Sequence, residues 1–298
     1  QAEIELNLGN ERVLKRQLEA TGDRFRVGEI TQTDVSQAKS RLARARADRI
    51  SSEGSLTTAR AAYQNVVGEV PSFLRAAKPL KHLPGSLSDA IELAKRNNFA
   101  VVEARYAELS AQSGVRVIMG ELLPNLTLSG ELKSNRETSN DRNESDEISL
   151  IARVTMPLYA SGSVKSRVRE AKQIVSQRRD GYDQASRAAV ESVTYAWQAL
   201  QTGRAQIRAF SVAVKAAKVA LEGVREEANV GSRTVLDVLN AEQELLDVRV
   251  GLVRAMRDEL VATYQLRQAV GEATGEKLGL PVARYNAEEH YRKVRGKW

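Results

Sequence analysis

No cysteine occurs in the 298 residues, so neither a disulfide framework nor a thiolate metal site can be built. Histidine is nearly absent too. His82 and His290 stand far apart, too few and too scattered for a histidine metal centre or a nucleophile–base pair. With 6 prolines, 19 glycines and 5% aromatics, turn formers and large β-formers are too scarce for an all-β sandwich or barrel. No run of 18 or more uncharged apolar residues is present, so a membrane role would have to come from strands, not helices. No phosphate-binding loop or metal-ligand spacing is found, and the sequence offers no catalytic residue, no cofactor-binding residue and no metal ligand.

What is abundant points elsewhere. Apolar residues make up 42%, which excludes a disordered chain. The 45 Lys and Arg against 38 Asp and Glu give a net charge of +7, but the two signs are interspersed. A nucleic-acid binder would cluster its basic residues on one element beside aromatics, so no nucleic-acid partner is expected. An Ala-, Glu-, Arg-, Leu- and Val-rich chain with few breakers reads as long helices.

The chain repeats itself. Val27-Gly28-Glu29-Ile30-Thr31-Gln32-Thr33-Asp34-Val35 recurs as Val230-Gly231-Ser232-Arg233-Thr234-Val235-Leu236-Asp237-Val238, at an offset of 203 residues. Ala38 and Ala241, Leu42 and Leu245, Arg46 and Arg249, and the Val-Gly-Glu triplets at Val67 and Val270 match at the same offset. Identities held in one register over so long a stretch mark a duplication. The second copy starts near Ser86, which predicts about 117 further residues of the first copy upstream of Gln1. On that arithmetic the chain carries the last third of copy one and all of copy two.

Each Val-Gly reads as the tip of a helical hairpin, with a helix before it and a Thr-capped helix after it. The first hairpin runs from Ile4 to about Gly68. Short helices follow, Leu87 to Arg96 and on to about Leu122, interrupted at Asn97-Asn98. From Ser163 to Asn229 there are 67 residues without proline, enough for a helix of ~100 Å, which needs a coiled coil or a tube. Its apolar seam steps by 4 and 3 from Val164 through Val168, Ala171, Val175, Arg178 and Tyr182 to Ala185. It then passes through Ala189, Val193 and Ala196 in an eleven-residue unit, and resumes at Leu200, Gly203, Ile207, Phe210, Val214, Ala217 and Leu221. Heptads impose a left-handed supercoil and eleven-residue units straighten it. The helix after Thr234 carries two seams, one through Leu239, Leu246 and Val250 and one through Leu245, Leu252, Ala255 and Leu266. Two seams mean neighbours on two sides, as in a wall of helices. Tyr195 and Trp197 are expected to be packing residues.

Between the helices the period changes to two. Leu126, Leu128, Gly130 and Leu132 alternate with polar residues, and Ile148, Leu150, Ala152, Val154 and Met156 alternate with Ser149, Ile151, Arg153 and Thr155. Two strands of about nine residues are predicted, joined by a polar loop from Ser134 to Asp146. That length suits a tilted transmembrane strand, and equally a surface hairpin packed on helices.

The Val-Gly-x-Arg-Thr-x-x-Asp-Val tip at Val230, its weaker copy at Val27, the Leu-Pro-Asn-Leu-Thr-Leu lead into a strand at Leu123, and the Pro157–Gly162 exit into a long helix resemble the outer-membrane efflux protein family, the TolC-like channel-tunnels. The resemblance covers nearly the whole chain, read as a fragment lacking most of the first repeat. It implies a mainly α fold: long antiparallel helical hairpins of an α-barrel, with one amphipathic β-hairpin of an outer-membrane β-barrel. The division it implies is an end of the first repeat (1–70), a linker (71–85), short helices (86–122), a transmembrane β-hairpin (123–158), a long helical hairpin (159–272) and a tail (273–298). It also implies a homotrimer set in outer-membrane lipid, its helical part in the periplasm. The trimer would serve tripartite efflux or type I secretion with a periplasmic adaptor (membrane fusion protein) and an inner-membrane RND or ABC transporter. It implies no catalysis and no cofactor.

In the site the resemblance implies, Arg233 latches onto Thr33 and Asp34 of the other tip, and Asp237 joins a ring of carboxylates at the pore. Val27, Gly28, Val230, Gly231, Arg233 and Thr234 meet the adaptor. Each residue also has a plainer reading. Arg233 can be a solvated charge, and Asp34 and Asp237 can be first-turn acids that offset a helix dipole. Asn240 stands one turn past Asp237, where relatives can carry a second acid. The alternative function is a soluble periplasmic coiled-coil adaptor or scaffold, which should carry a lipoyl-like β-domain where this chain has one β-hairpin.

Overall fold

The computed structural model describes residues 1–72, 77, 80, 83–136, 144–283 and 286–297. The elements are α1 (Ala2–Arg26), α2 (Gln32–Val67), α3 (Leu87–Asn97), α4 (Phe99–Gly120), β1 (Asn125–Arg136), β2 (Glu144–Thr155), α5 (Ser163–Asn229), α6 (Val235–Ala269) and α7 (Ala287–Val294). Two compact units emerge, residues 91–191 and residues 1–90 with 192–298, and each is described by itself.

In the unit 91–191, the break at Asn98 is a helix start: its side chain accepts a hydrogen bond from the Ala100 amide and caps α4. β1 and β2 pair antiparallel, with Leu126 opposite Val154, Leu128 opposite Ala152, Gly130 opposite Leu150 and Leu132 opposite Ile148. A strand's side chains alternate between faces, so every one of these apolar pairs falls on one face. The other face carries Thr127 with Arg153, Glu131 with Ser149 and Lys133 with Glu147. The apolar face is bare: Leu132, Ile148 and Leu150 are at least three-quarters exposed.

Both strands are 12 residues long, three more than the alternation predicts. The ladder continues through polar residues because backbone pairing is indifferent to side-chain polarity. Ser134 and Asp146, placed in the loop by sequence, face each other and share a 2.7 Å hydrogen bond. The middle of that loop, 137–143, lies outside the described residues, as do Pro79 and His82 of the linker. The first part of α5 buries the predicted seam at Val164, Ala171 and Ala189. Arg178 on the same seam is exposed, since a guanidinium left without a partner inside would lose its hydration. Arg167 of α5 forms an ion pair with Glu121, which keeps that carboxyl below its ordinary value.

In the other unit, α1 and α2 form an antiparallel pair. Leu14 on α1 packs with Ala38, Leu42 and Ala45 on α2, and Val235 and Leu239 of α6 complete the cluster, with Leu18 beside it. Small residues on α2 let the helices approach closely. Polar contacts fix the register: Asn7, buried, donates to Ser52 Oγ at 2.7 Å, and the Glu11 carboxylate accepts from Arg49 at 2.7 Å and Arg46 at 3.2 Å. The Arg49 hydrogen bond is the main reason that the Glu11 carboxyl is held low.

α6 is buried on two sides, as its two seams require. Toward the second part of α5 the approach is set by glycines. A Cβ on Gly203 would lie 3.2 Å from the Glu259 backbone, and one on Gly251 would lie 2.6 Å from the Phe210 ring. Gly251→Val in the full-length protein should therefore lower stability by roughly 1–3 kcal/mol, the cost of overpacking a close helix contact. Denaturant melts followed by circular dichroism measure this, and an unchanged midpoint would mean the helices part freely.

One reading from sequence is corrected. Tyr195 is 69% exposed, not a packing residue, because it lies off the seam that Val193 and Ala196 define. The tail contains a helix, α7, that no periodicity announced; the Asn286 side chain caps it by accepting from the amides of Glu288 and Glu289.

Candidate functional site at the hairpin tips

The two tips are built alike, atom for atom along the backbone. At the end of α1 the Gly28 amide donates to the Phe25 carbonyl at 2.9 Å and the Glu29 amide to the Arg24 carbonyl at 3.0 Å. At the end of α5 the Gly231 amide donates to Ala228 at 3.1 Å and the Ser232 amide to Glu227 at 2.9 Å. This pair of bonds is the Schellman closure, which needs a left-handed residue at its corner. Gly28 and Gly231 both have φ of +79°, where a Cβ is disfavoured. Thr31 and Thr234 then start α2 and α6 with full capping boxes: each hydroxyl accepts from the Asp amide three residues on, and that Asp carboxylate accepts from the Thr amide.

Asp34 and Asp237 are thus engaged inside their own turns. Asp34 Oδ2 accepts from the Thr31 hydroxyl at 2.8 Å and amide at 2.9 Å; Asp237 Oδ2 accepts from Thr234 at 2.8 and 3.0 Å. These bonds hold both carboxyls below the ordinary aspartate value of 3.8, led by the Thr31 hydroxyl at Asp34 and by the Thr234 amide at Asp237. A depressed carboxyl lends stability that is complete above the ordinary value and is lost as pH falls through the lower folded one. A fluorophore on Val230→Cys should therefore report constant tip mobility from neutral pH down to about pH 4 and a rise below it. Asp237→Asn should remove that step, and a step that persisted would locate the titration elsewhere.

Arg233 lies outside this frame. Its Nε donates to Glu227 Oε2 at 2.7 Å, which raises its pKa; Asp237 adds a weaker favourable field. In the first tip Arg24 donates to Glu29 Oε1 at 2.6 Å. Arg24 and Glu227 are equivalent at the repeat offset, so the two ion pairs run in opposite polarity: base on the helix and acid on the loop in one tip, the reverse in the other. The sequence reading named Arg233 as a site residue but not Arg24, Glu29 or Glu227, because it is the reversal at each tip that brings these charges together. Thr33 sits exposed in the first turn of α2, and Val27 and Val230 are 79% and 81% exposed. Within the single chain Arg233 is bonded to Glu227, and Asp34 to Thr31.

Below the tips the two hairpins of the chain meet. Besides the cluster of Leu14, Leu42, Val235 and Leu239, Arg41 Nη2 donates to Asn240 Oδ1 at 2.8 Å, between α2 and α6. Farther along, Arg254 of α6 pairs with Glu3 of α1.

This pair of capped tips belongs to a fold already known from outer-membrane proteins. The structure of VceC from Vibrio cholerae superposes with a TM-score of 0.74 at 21% identity, over 91% of this chain and 66% of that one, a likeness of fold. The outer membrane efflux protein BepC of Brucella suis biovar 1 (strain 1330) is 35% identical over 286 residues, 96% of this chain and 63% of BepC. The outer membrane protein TolC of Vibrio cholerae serotype O1 is 29% identical over 283 residues, 90% of this chain and 65% of that TolC. The chain therefore spans less than two thirds of the length of these relatives. Residues 90–272 match the family described as outer membrane efflux protein. The chain belongs to that family, and its place is the outer membrane. No enzyme family is indicated, and the family offers no support for the soluble adaptor or scaffold.

Proposed function

We propose that this chain is the tip-bearing part of a trimeric outer-membrane channel that carries substrates out through periplasm and outer membrane, in tripartite efflux or type I secretion. In this reading residues 1–70 and 159–272 supply the helical hairpins, 123–158 the barrel strands in lipid, and 71–85, 86–122 and 273–298 the connections around them. The tips close the pore and receive a periplasmic adaptor, which couples the channel to an inner-membrane RND or ABC transporter. With the pore closed, Arg233 latches onto Thr33 and Asp34 of the other tip; on opening it releases them, and the Asp237 carboxylates select cations.

The observation that carries this reading is the pairing of two things in one chain. One is a β-hairpin whose facing apolar pairs share one bare face. The other is two hairpin tips with the same glycine corner and capping box but different exposed charges. A soluble packing role would cover the first and would not need the second. The test is single-channel recording of the full-length protein in planar bilayers, beside an export assay in cells. Discrete, cation-favouring openings from a low resting conductance support the reading; a protein that inserts but never conducts overturns it.

A further inference from the structure

We propose that the cleft between α1 and α6 is a binding site for a small zwitterion with an apolar body, an apolar α-amino acid such as leucine. The site goes beyond the channel reading and does not depend on the tips acting as a gate. It is a cavity of about 210 Å³, room for about seven waters at ~30 Å³ each or for one compact organic molecule. Because α1 belongs to the first hairpin and α6 to the second, an occupant touches both.

Asn10 is the decisive group. It is 9% exposed and lines the cavity, yet among the described residues its carboxamide has no hydrogen-bond partner. Burying an amide without a partner gives up its hydration for nothing in return, so a native chain rarely leaves one so. Asn7, three residues earlier on α1 and also buried, shows the ordinary solution: it donates to Ser52 Oγ. Asn10 has only the cavity to turn to.

The other lining residues define what would satisfy it. Leu6, Val13, Leu245 and Leu246 supply apolar walls. Glu242 is already neutralised by its ion pair with Arg225 of α5. Two opposite charges remain, Glu5 on the exposed rim and the half-buried Arg249, and among the described residues neither forms an ion pair. A guanidinium takes a carboxylate, and Glu5 takes an ammonium. A carboxamide can donate to the first and accept from the second. A plain organic anion would meet Glu5 unfavourably and a plain amine would meet Arg249 so; a zwitterion suits both.

Gly9 also lines the cavity, and no atom lies within 4 Å of the place its Cβ would take. Packing therefore does not demand a glycine inside α1, where it weakens the helix. At the repeat offset Gly9 and Asn10 correspond to Val212 and Ala213. The other copy thus builds the same helix without either residue. What Gly9 gives α1 is an open entrance beside the carboxamide.

The test is equilibrium dialysis of radiolabelled L-leucine against the full-length protein in lipid nanodiscs. One saturable site per chain is expected, with a Kd on the order of 0.1–1 mM, the range for a ligand of this size. 4-Methylpentanoate and 3-methylbutylamine each lack one of the two charges and should compete at least about tenfold less well. Arg249→Gln should weaken leucine binding about tenfold or more, and the exposed Glu5→Gln at most about fivefold. Asn10→Leu, which removes the carboxamide at nearly constant volume, should weaken it about tenfold. Gly9→Leu, which fills the entrance, should abolish it, with helicity by circular dichroism unchanged. If Asn10→Leu does not fold, Arg249→Gln and Gly9→Leu decide. Absence of saturable binding to the wild type, binding that survives both Arg249→Gln and Gly9→Leu, or 4-methylpentanoate competing as well as leucine overturns the site. Conductance is not among these readouts, so a protein that binds leucine and never conducts would overturn the channel reading alone.

Discussion

Leu150→Arg should abolish assembly of the full-length protein in the outer membrane, while Ser149→Arg should leave it nearly intact. The two residues are adjacent in sequence and opposite in direction. Leu150 stands across from Gly130 on the face that holds Leu126, Leu128, Leu132, Ile148 and Val154; Ser149 stands across from Glu131 on the other. An arginine facing lipid near mid-membrane costs ~2–4 kcal/mol per strand, and a symmetric assembly would meet that cost in every chain at once. An arginine on the polar face joins Arg153 and Lys133 in a setting that already accepts charge. Membrane fractionation with heat-modifiability of the assembled barrel measures both. Equal tolerance would mean the hairpin lies on the surface of something other than lipid.

The second large effect concerns the tips. Arg233→Ser should raise the resting conductance of the full-length channel, since it removes the cation of the second tip that latches onto Thr33 and Asp34. Asp237→Asn should lower cation preference without raising that conductance, because the Asn can still serve much of the Thr234 cap. Gly231→Ala should impair coupling to the adaptor, because an alanine at φ +79° is strained by roughly 1–2 kcal/mol and the corner would shift. Conductance, reversal potential under a salt gradient and export activity separate the three. If Arg233→Ser left conductance unchanged and Asp237→Asn left selectivity unchanged, the tips would be plain turns.

Much of this architecture was legible in the sequence, for reasons that differ by element. The β-hairpin register follows from strict alternation, because a slip of one residue would turn Leu128 and Leu150 to the polar side. The ends of α5 coincide with Gly162 and Gly231, since a left-handed corner advertises itself as glycine. The seam of α5 is borne out because each of its apolar positions from Ala189 to Leu221 is at least partly buried. What was hidden is whatever depends on a second element. Gly203 was visible as a seam position, but only the stagger against α6 explains why it has no side chain. The partner of Arg233 was hidden for the same reason. The sequence displays several acids within reach, and it is the reversal at Gly231 that brings Glu227 to face it. Arg41 and Asn240 each look like ordinary surface residues until the hairpins are laid side by side.

The matched corners of the two tips also bear on how a docking protein would perceive them. Backbone, caps and exposed valine are the same at Val27 and Val230, so a partner that reads only shape would meet two interchangeable landing points on every chain. A partner that reads charge would not, because Arg24 with Glu29 and Glu227 with Arg233 are laid down in mirror order. Exchanging Glu227 and Arg233 in one double variant would give both tips the same polarity while keeping composition and corner. Binding that is indifferent to this exchange would identify a shape reader; binding that changes would show that the duplication has been used to tell left from right.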